Sequence, residues 1–119
     1  MTTPIEELTE RLREFVAARD WEPFHTPKNL AMAVAGEAGE LLAEFQWLTP
    51  EESTRIMSDP EAGARVRSEI ADVTTYLIRL ADALDIDLIE AAHTKLDESE
   101  RRYDAEEYRG SARKAPPLP

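Results

Sequence analysis

Apolar side chains recur along this chain at intervals of three and four, and no segment alternates with the two-residue period of a strand. The pattern predicts helices, and cap residues mark where each begins. "TPIE" at residues 3 to 6 places Thr3 as N-cap, Pro4 at the first helical position and Glu6 three beyond the cap, opening a helix with Leu8, Leu12, Phe15 and Val16 that ends near Asp20. A second helix starts at Thr26 or Pro27 and runs through "KNLAMAVAGEAGELLAEFQWL". "TPEE" at 49 to 52 caps a short third helix, "DPEA" at 59 to 62 a fourth running to about Leu84, and "DLIE" at 87 to 90 a last one reaching roughly Tyr103. Residues 104 to 119 are poor in apolar side chains and rich in proline. The expected organisation is an all-α domain over 1–103 and a basic, proline-rich tail over 104–119.

Two helices break the pattern in the same way. In the fourth, Val66, Ile70, Val73, Leu77, Leu80 and Leu84 make one stripe at 100° per residue, and Glu69 lies inside it, between the directions of Tyr76 and Leu80. In the second, Leu30, Val34, Ala38, Leu41, Leu42, Phe45 and Leu48 form the arc, and Glu37, Glu40 and Glu44 gather at its edge. Glu37 and Glu40 are three apart, as are Glu69 and Asp72, so each pair shares a helix face. A solvated acidic face is the plainer account of either pair alone. Packing the two stripes together, however, would bring four carboxylates close in a low dielectric, where they need protons or cations among them. Hard oxygen donors without His or Cys suit Mg²⁺ or Mn²⁺.

Composition narrows the setting. Twenty-five acids against fourteen Lys and Arg give a net charge of −11, which disfavours a nucleic-acid polymer as partner. A small phosphorylated ligand would need a metal or local cations. No cysteine is present, which removes disulfides and thiolate zinc sites and fits a cytoplasmic protein. The acidic start "MTTPIEELTE" does not resemble a secretion signal, and no stretch is apolar enough for a membrane span.

"RDWEPFHTPKNL", "GEAGELLAEFQW", "EIADVTTYL" and "KLDESERRY", in that order, resemble the all-alpha nucleoside triphosphate pyrophosphohydrolases, the group of the MazG-like proteins, and within it the dCTP pyrophosphatase branch. The resemblance runs from about residue 8 to 114. It implies a MazG-like helical bundle completed by oligomerisation, often as a tetramer; the broad apolar helix faces of so short a chain lead us to expect a tetramer built from dimers. It implies Mg²⁺, or Mn²⁺, held by Glu37, Glu40, Glu69 and Asp72, with hydrolysis of a nucleoside triphosphate to the monophosphate and pyrophosphate. Glu40 is the candidate general base. No Walker A loop is present, and acids with metal ions can take its place in holding the phosphates.

The same resemblance turns Trp21, Trp47 and Tyr76, which alone read as core, into candidates for the base and sugar pocket. His25 is a candidate ligand donor rather than only a residue of the turn before the second helix. Lys95 and Arg102 are candidate phosphate contacts, ahead of Arg109, Arg113 and Lys114 in the tail. Two departures bear on substrate choice: Ser99 stands where many relatives carry Asn after the Lys95 position, and Leu12 where some carry His. A di-iron bundle would need a second ExxH pair besides Glu90 and His93. A non-catalytic helical adaptor would leave the stripe-embedded acids unexplained.

Overall fold

Each helix begins where its cap residues put it. The computed structural model, describing residues 1–119, is all-helical. Helix α1 (Pro4–Ala17) opens on the capping box of Thr3 and Glu6, and α3 (Pro50–Ser53) on that of Thr49 and Glu52. Thr26 caps α2 (Pro27–Ala43), Asp59 caps α4 (Pro60–Ala83) and Asp87 caps α5 (Leu88–Arg102), in each case by accepting from backbone N–H groups of the first turn. Single 3₁₀ turns at Glu22–Phe24 and Ile56–Ser58 join α1 to α2 and α3 to α4.

Two boundaries differ from the sequence reading. The second helix was expected to run to Leu48, but α2 stops at Ala43. Beyond it the N–H groups of Glu44, Phe45 and Leu48 donate to carbonyls three residues back, so the end tightens into turns and redirects the side chains that follow. The tail holds a further short helix, α6 (Ala105–Tyr108), because Asp104 accepts from the Glu107 N–H as its cap. Asp20 and Asp85 take left-handed backbone angles (φ 51° and 55°) after α1 and α4, a conformation that a short carboxylate side chain tolerates better than most.

The chain forms two compact units, Met1–Asp85 and Ile86–Pro119, so the sequence boundary at 103 falls inside the second. In the first unit α4 is the central element, with α2 packed along it and α1 also against it. Val16, Leu30, Val66, Ile78 and Ala81 are buried there. At Gly63 the helix passes the Ile56–Ser58 turn so closely that an added Cβ would sit 3.3 Å from Met57 Cε and 3.4 Å from Met57 Cα, so Met57 would have to yield by a few tenths of an ångström.

The stripe expected on α4 is only partly the buried one. Val66 is covered and Val73 and Leu80 are half-buried, but Ile70 (50 % exposed), Leu77 and Leu84 face outward. Ile78 and Ala81, which the periodicity left outside the stripe, are buried instead. The reason is that α4 has two neighbours. It presents one face to α2 and another, next to Asp82, to α1, so a single stripe cannot describe it. Leu42 and Ala38 of the α2 arc are likewise exposed.

In the second unit Arg102 organises the tail. Its guanidinium donates to the carbonyls of Ala115 and Pro116, and Ala115 is buried. The rings of Tyr103 and Tyr108 meet edge to face at 5.1 Å, and Arg113 lies 4.5 Å above Tyr108 while pairing with Glu107.

Candidate metal centre

Packing of α2 on α4 brings acids together across the interface. Glu37, Glu40 and Glu69 each offer a carboxylate oxygen, and the three lie within 4.8 Å of one another. Asp72 falls outside that trio but is near enough for its charge to act on both Glu37 and Glu69. Glu44, expected with Glu37 and Glu40, is instead drawn into an ion pair with Arg65 at 2.7 Å.

The electrostatics follow from the geometry. Loss of water pushes the Glu37 carboxyl up, and the neighbouring carboxyls of Glu40, then Glu69 and Asp72, push it further, to about 7. Glu69 is raised as well, first by desolvation, with Glu40 and Asp72 adding repulsion and the neighbouring Glu37 carboxyl opposing. Glu37 Oε2 and Glu69 Oε2 are buried without a hydrogen-bond partner. Orphaned carboxylate oxygens are costly in a folded chain, and a divalent cation among them would supply the missing partner. The oxygen-only donor set of Glu37, Glu40 and Glu69 therefore fits a divalent cation.

The remaining candidates are distributed as follows. Tyr76 is half-buried on α4, one turn beyond Asp72. Trp21, in the turn after α1, meets Phe15 edge to face at 5.6 Å and lies 6.4 Å from the His25 ring at a tilt of 44°. Trp47, in the turn beyond α2, is 87 % exposed. Lys95 is exposed and paired with Glu98 at 3.1 Å. Arg102, expected to meet phosphate, spends its guanidinium on tail carbonyls. Arg109 and Lys114 are exposed, and Arg113 is committed to Glu107.

Sequence reasoning missed a charged chain in the first unit. Arg13 of α1 donates twice to Asp82 of α4, once at 2.9 Å from Nε; Arg79 donates to the same carboxylate at 3.3 Å, and the Arg79 Nε–H reaches His25 Nδ1 at 3.5 Å. The hydrogen bond and charge of Arg13, joined by the charge of Arg79, hold the Asp82 carboxyl below the usual range against the opposing effect of burial. Burial and the Arg79 charge depress His25, with Glu22 opposing. The signal was available: Arg79 sits among Leu77, Ile78 and Leu80, with Asp82 three residues on, a spacing at which opposite charges meet on a helix.

The model of the MazG-like family matches residues 33–116. The chain is 42 % identical over 115 residues to dCTP pyrophosphatase 1 of Homo sapiens and 41 % to that of Bos taurus, in each case over 97 % of this chain and 68 % of the relative. A pyrophosphatase from Archaeoglobus fulgidus is similar in structure, with a TM-score of 0.81 at 40 % identity over 87 % of this chain and 95 % of that one.

Proposed function

This chain belongs to the MazG-like family, and on that premise we propose that it hydrolyses a nucleoside triphosphate, dCTP or a modified dCTP, to the monophosphate and pyrophosphate. The observation that carries the reading is the pair of orphaned oxygens on Glu37 and Glu69, set with Glu40 between two helices. Similarity to dCTP pyrophosphatase 1 supports the substrate. A non-catalytic adaptor has no use for such a cluster.

Glu37, Glu40 and Glu69 would hold Mg²⁺, or Mn²⁺ in its place, with Asp72 close by. When bound, the ion neutralises triphosphate charge and lowers the pKa of a coordinated water. Glu40 is exposed, so of the trio it has the freest approach to a water and is our candidate for the base. Trp21 and Trp47 offer stacking faces for the base, His25 a polar contact, and Tyr76 a wall for the sugar. Lys95 is assigned to the phosphates. Arg102 could join it only by releasing the Ala115 and Pro116 carbonyls.

The assembly proposed is a tetramer built from dimers. Phe15, Met32, Leu42, Ile70, Leu77 and Leu84 are exposed apolar side chains of the first unit, more than an isolated chain of this size comfortably presents. Light scattering at micromolar concentration should show a tetramer, and a stable monomer would refute it. No helix is long and apolar enough to cross a membrane, and the setting we propose is the cytoplasm.

Incubating the protein with Mg²⁺ and competing dCTP, dUTP, dTTP, dATP, dGTP and CTP tests the substrate. The highest kcat/KM should fall on dCTP or a 5-substituted dCTP, with dCMP and pyrophosphate as products. A clear preference for a purine refutes the assignment, and equal rates on all would make this a general pyrophosphohydrolase.

A further inference from the structure

We infer that Arg79 is a positioning residue for the nucleotide site: by donating to His25 Nδ1 it fixes the ring so that His25 meets a ligand only as a hydrogen-bond donor, through Nε2–H. The inference rests on the proposed contact of His25 and Trp21 with the nucleotide, and it adds a residue and a protonation state to that contact.

The Arg79 side chain is 12 % exposed, and a guanidinium that has lost its water must place its N–H groups on acceptors. Asp82 takes one at 3.3 Å and His25 Nδ1 another at 3.5 Å. Arginine carries no acceptor, so Nδ1 has to present its lone pair and the ring proton has to sit on Nε2. An imidazolium would instead point an N–H at the guanidinium.

Charges facing the ring agree. Arg79 approaches from α4 and Glu22 from the Glu22–Phe24 turn, and burial together with Arg79 outweighs Glu22 in keeping the ring neutral. Asp82 does not cancel Arg79, because that carboxylate is shared with Arg13.

The consequence is positional as well as chemical. His25 closes the turn that begins at Trp21, and the two rings lie 6.4 Å apart. Through Arg79, the segment carrying the proposed stacking face is tied to the helix that carries Glu69, Asp72 and Tyr76. A donor at Nε2 suits an acceptor on the nucleotide, such as N3 or O2 of cytosine; the opposite tautomer would select a donor such as the N3–H of uracil.

The test reads the tautomer directly. Two-bond ¹⁵N–¹H spectra of the ligand-free, ¹⁵N-labelled protein distinguish the two ring nitrogens, and a His93→Gln variant identifies the signals of His25, since the chain has only these two histidines. Wild type should show the Nε2–H form at neutral pH and a titration midpoint below about 6.5. Arg79→Gln retains an N–H donor but no charge, so the tautomer should persist while the midpoint rises. Arg79→Met removes both, so Nδ1–H should become populated, the midpoint should rise, and KM for dCTP should increase about tenfold with little change in kcat, the loss expected of one hydrogen bond. An Nδ1–H wild type overturns the inference, as does an Arg79→Met protein with unchanged tautomer and midpoint. Should that variant fail to fold, the wild-type and Arg79→Gln spectra decide. Because the spectra need no substrate, a wild type with the expected tautomer and no turnover of any nucleotide overturns the proposed function instead.

Discussion

Glu37 on α2 and Glu69 on α4 each bury an Oε2 atom that has no hydrogen-bond partner, and with Glu40 they offer oxygens within 4.8 Å of one another. Two helices whose contact buries such a pair are held together by their apolar neighbours and pushed apart by their acids. Protons or a divalent ion relieve the conflict, and this makes the site measurable through stability.

The proton arm has a definite sign. Glu37 ionises near its ordinary value in the unfolded chain but at about 7 when folded, so the folded state retains a proton that the unfolded state releases. Its effect is absent below about 4.5, destabilises the metal-free protein increasingly as pH rises toward 7, and levels off above it. His25, depressed on folding, works in the opposite direction over part of this range. A difference between variant and wild type isolates the carboxyl: in chelator, the Tm of Glu37→Gln minus that of wild type should grow between pH 4.5 and 7.5. A flat difference would show that Glu37 is not crowded.

The metal arm is mass action. A cation bound only by the folded state stabilises it by about 2.7 kcal/mol at a hundred times its dissociation constant, so Mg²⁺ should raise the wild-type Tm. Glu69→Gln should melt higher than wild type in chelator and gain less from Mg²⁺. A variant that melts lower in chelator and still responds fully would make Glu69 a structural acid.

Asp72 separates ligation from proximity, since it lies outside the trio yet acts electrostatically on two of its members. Asp72→Asn should lower kcat or Mg²⁺ affinity by about 10- to 100-fold, the range for residues that support a metal site, while KM for the nucleotide moves little. Unchanged kinetics over a Mg²⁺ titration would remove Asp72 from the site.

Trp47, almost wholly exposed, has little to lose in folding and something to gain in binding. Trp47→Ala should leave the unfolding free energy within about 0.5 kcal/mol of wild type, as surface changes do, and cost roughly 1 to 3 kcal/mol in nucleotide binding through KM. A loss of stability with unaltered KM would place Trp47 in a subunit contact instead.

Asp82 of α4 accepts from Arg13 of α1 and also pairs with Arg79 on its own helix. Asp82→Ala strands the mostly buried Arg79 and should cost about 1.5 to 3 kcal/mol, the range for a hydrogen bond to a charged group, read in urea melts at pH 7. A change under 0.5 kcal/mol would mean that water replaces the carboxylate.

What was legible in the sequence is local. A Thr or Asp cap acts within its own first turn, and proline at the first helical position needs no neighbour, so the starts of α1 to α5 could be read directly. The two acid pairs were legible for the same reason, since i, i+3 spacing sets a shared face whatever lies opposite. Tertiary structure decided which acids meet: Glu40 joins Glu37 and Glu69, while Glu44, one turn on, is taken by Arg65 from across the interface. It also decided which side of α4 is inside. Periodicity yields one stripe, but a helix packed by α2 on one face and α1 on another buries Ile78 and Ala81 and leaves Ile70 and Leu77 exposed. The link from Arg13 to Asp82 spans 69 residues, and the one from Arg79 to His25 spans 54. No local rule couples positions so far apart, because they become neighbours only when the helices pack.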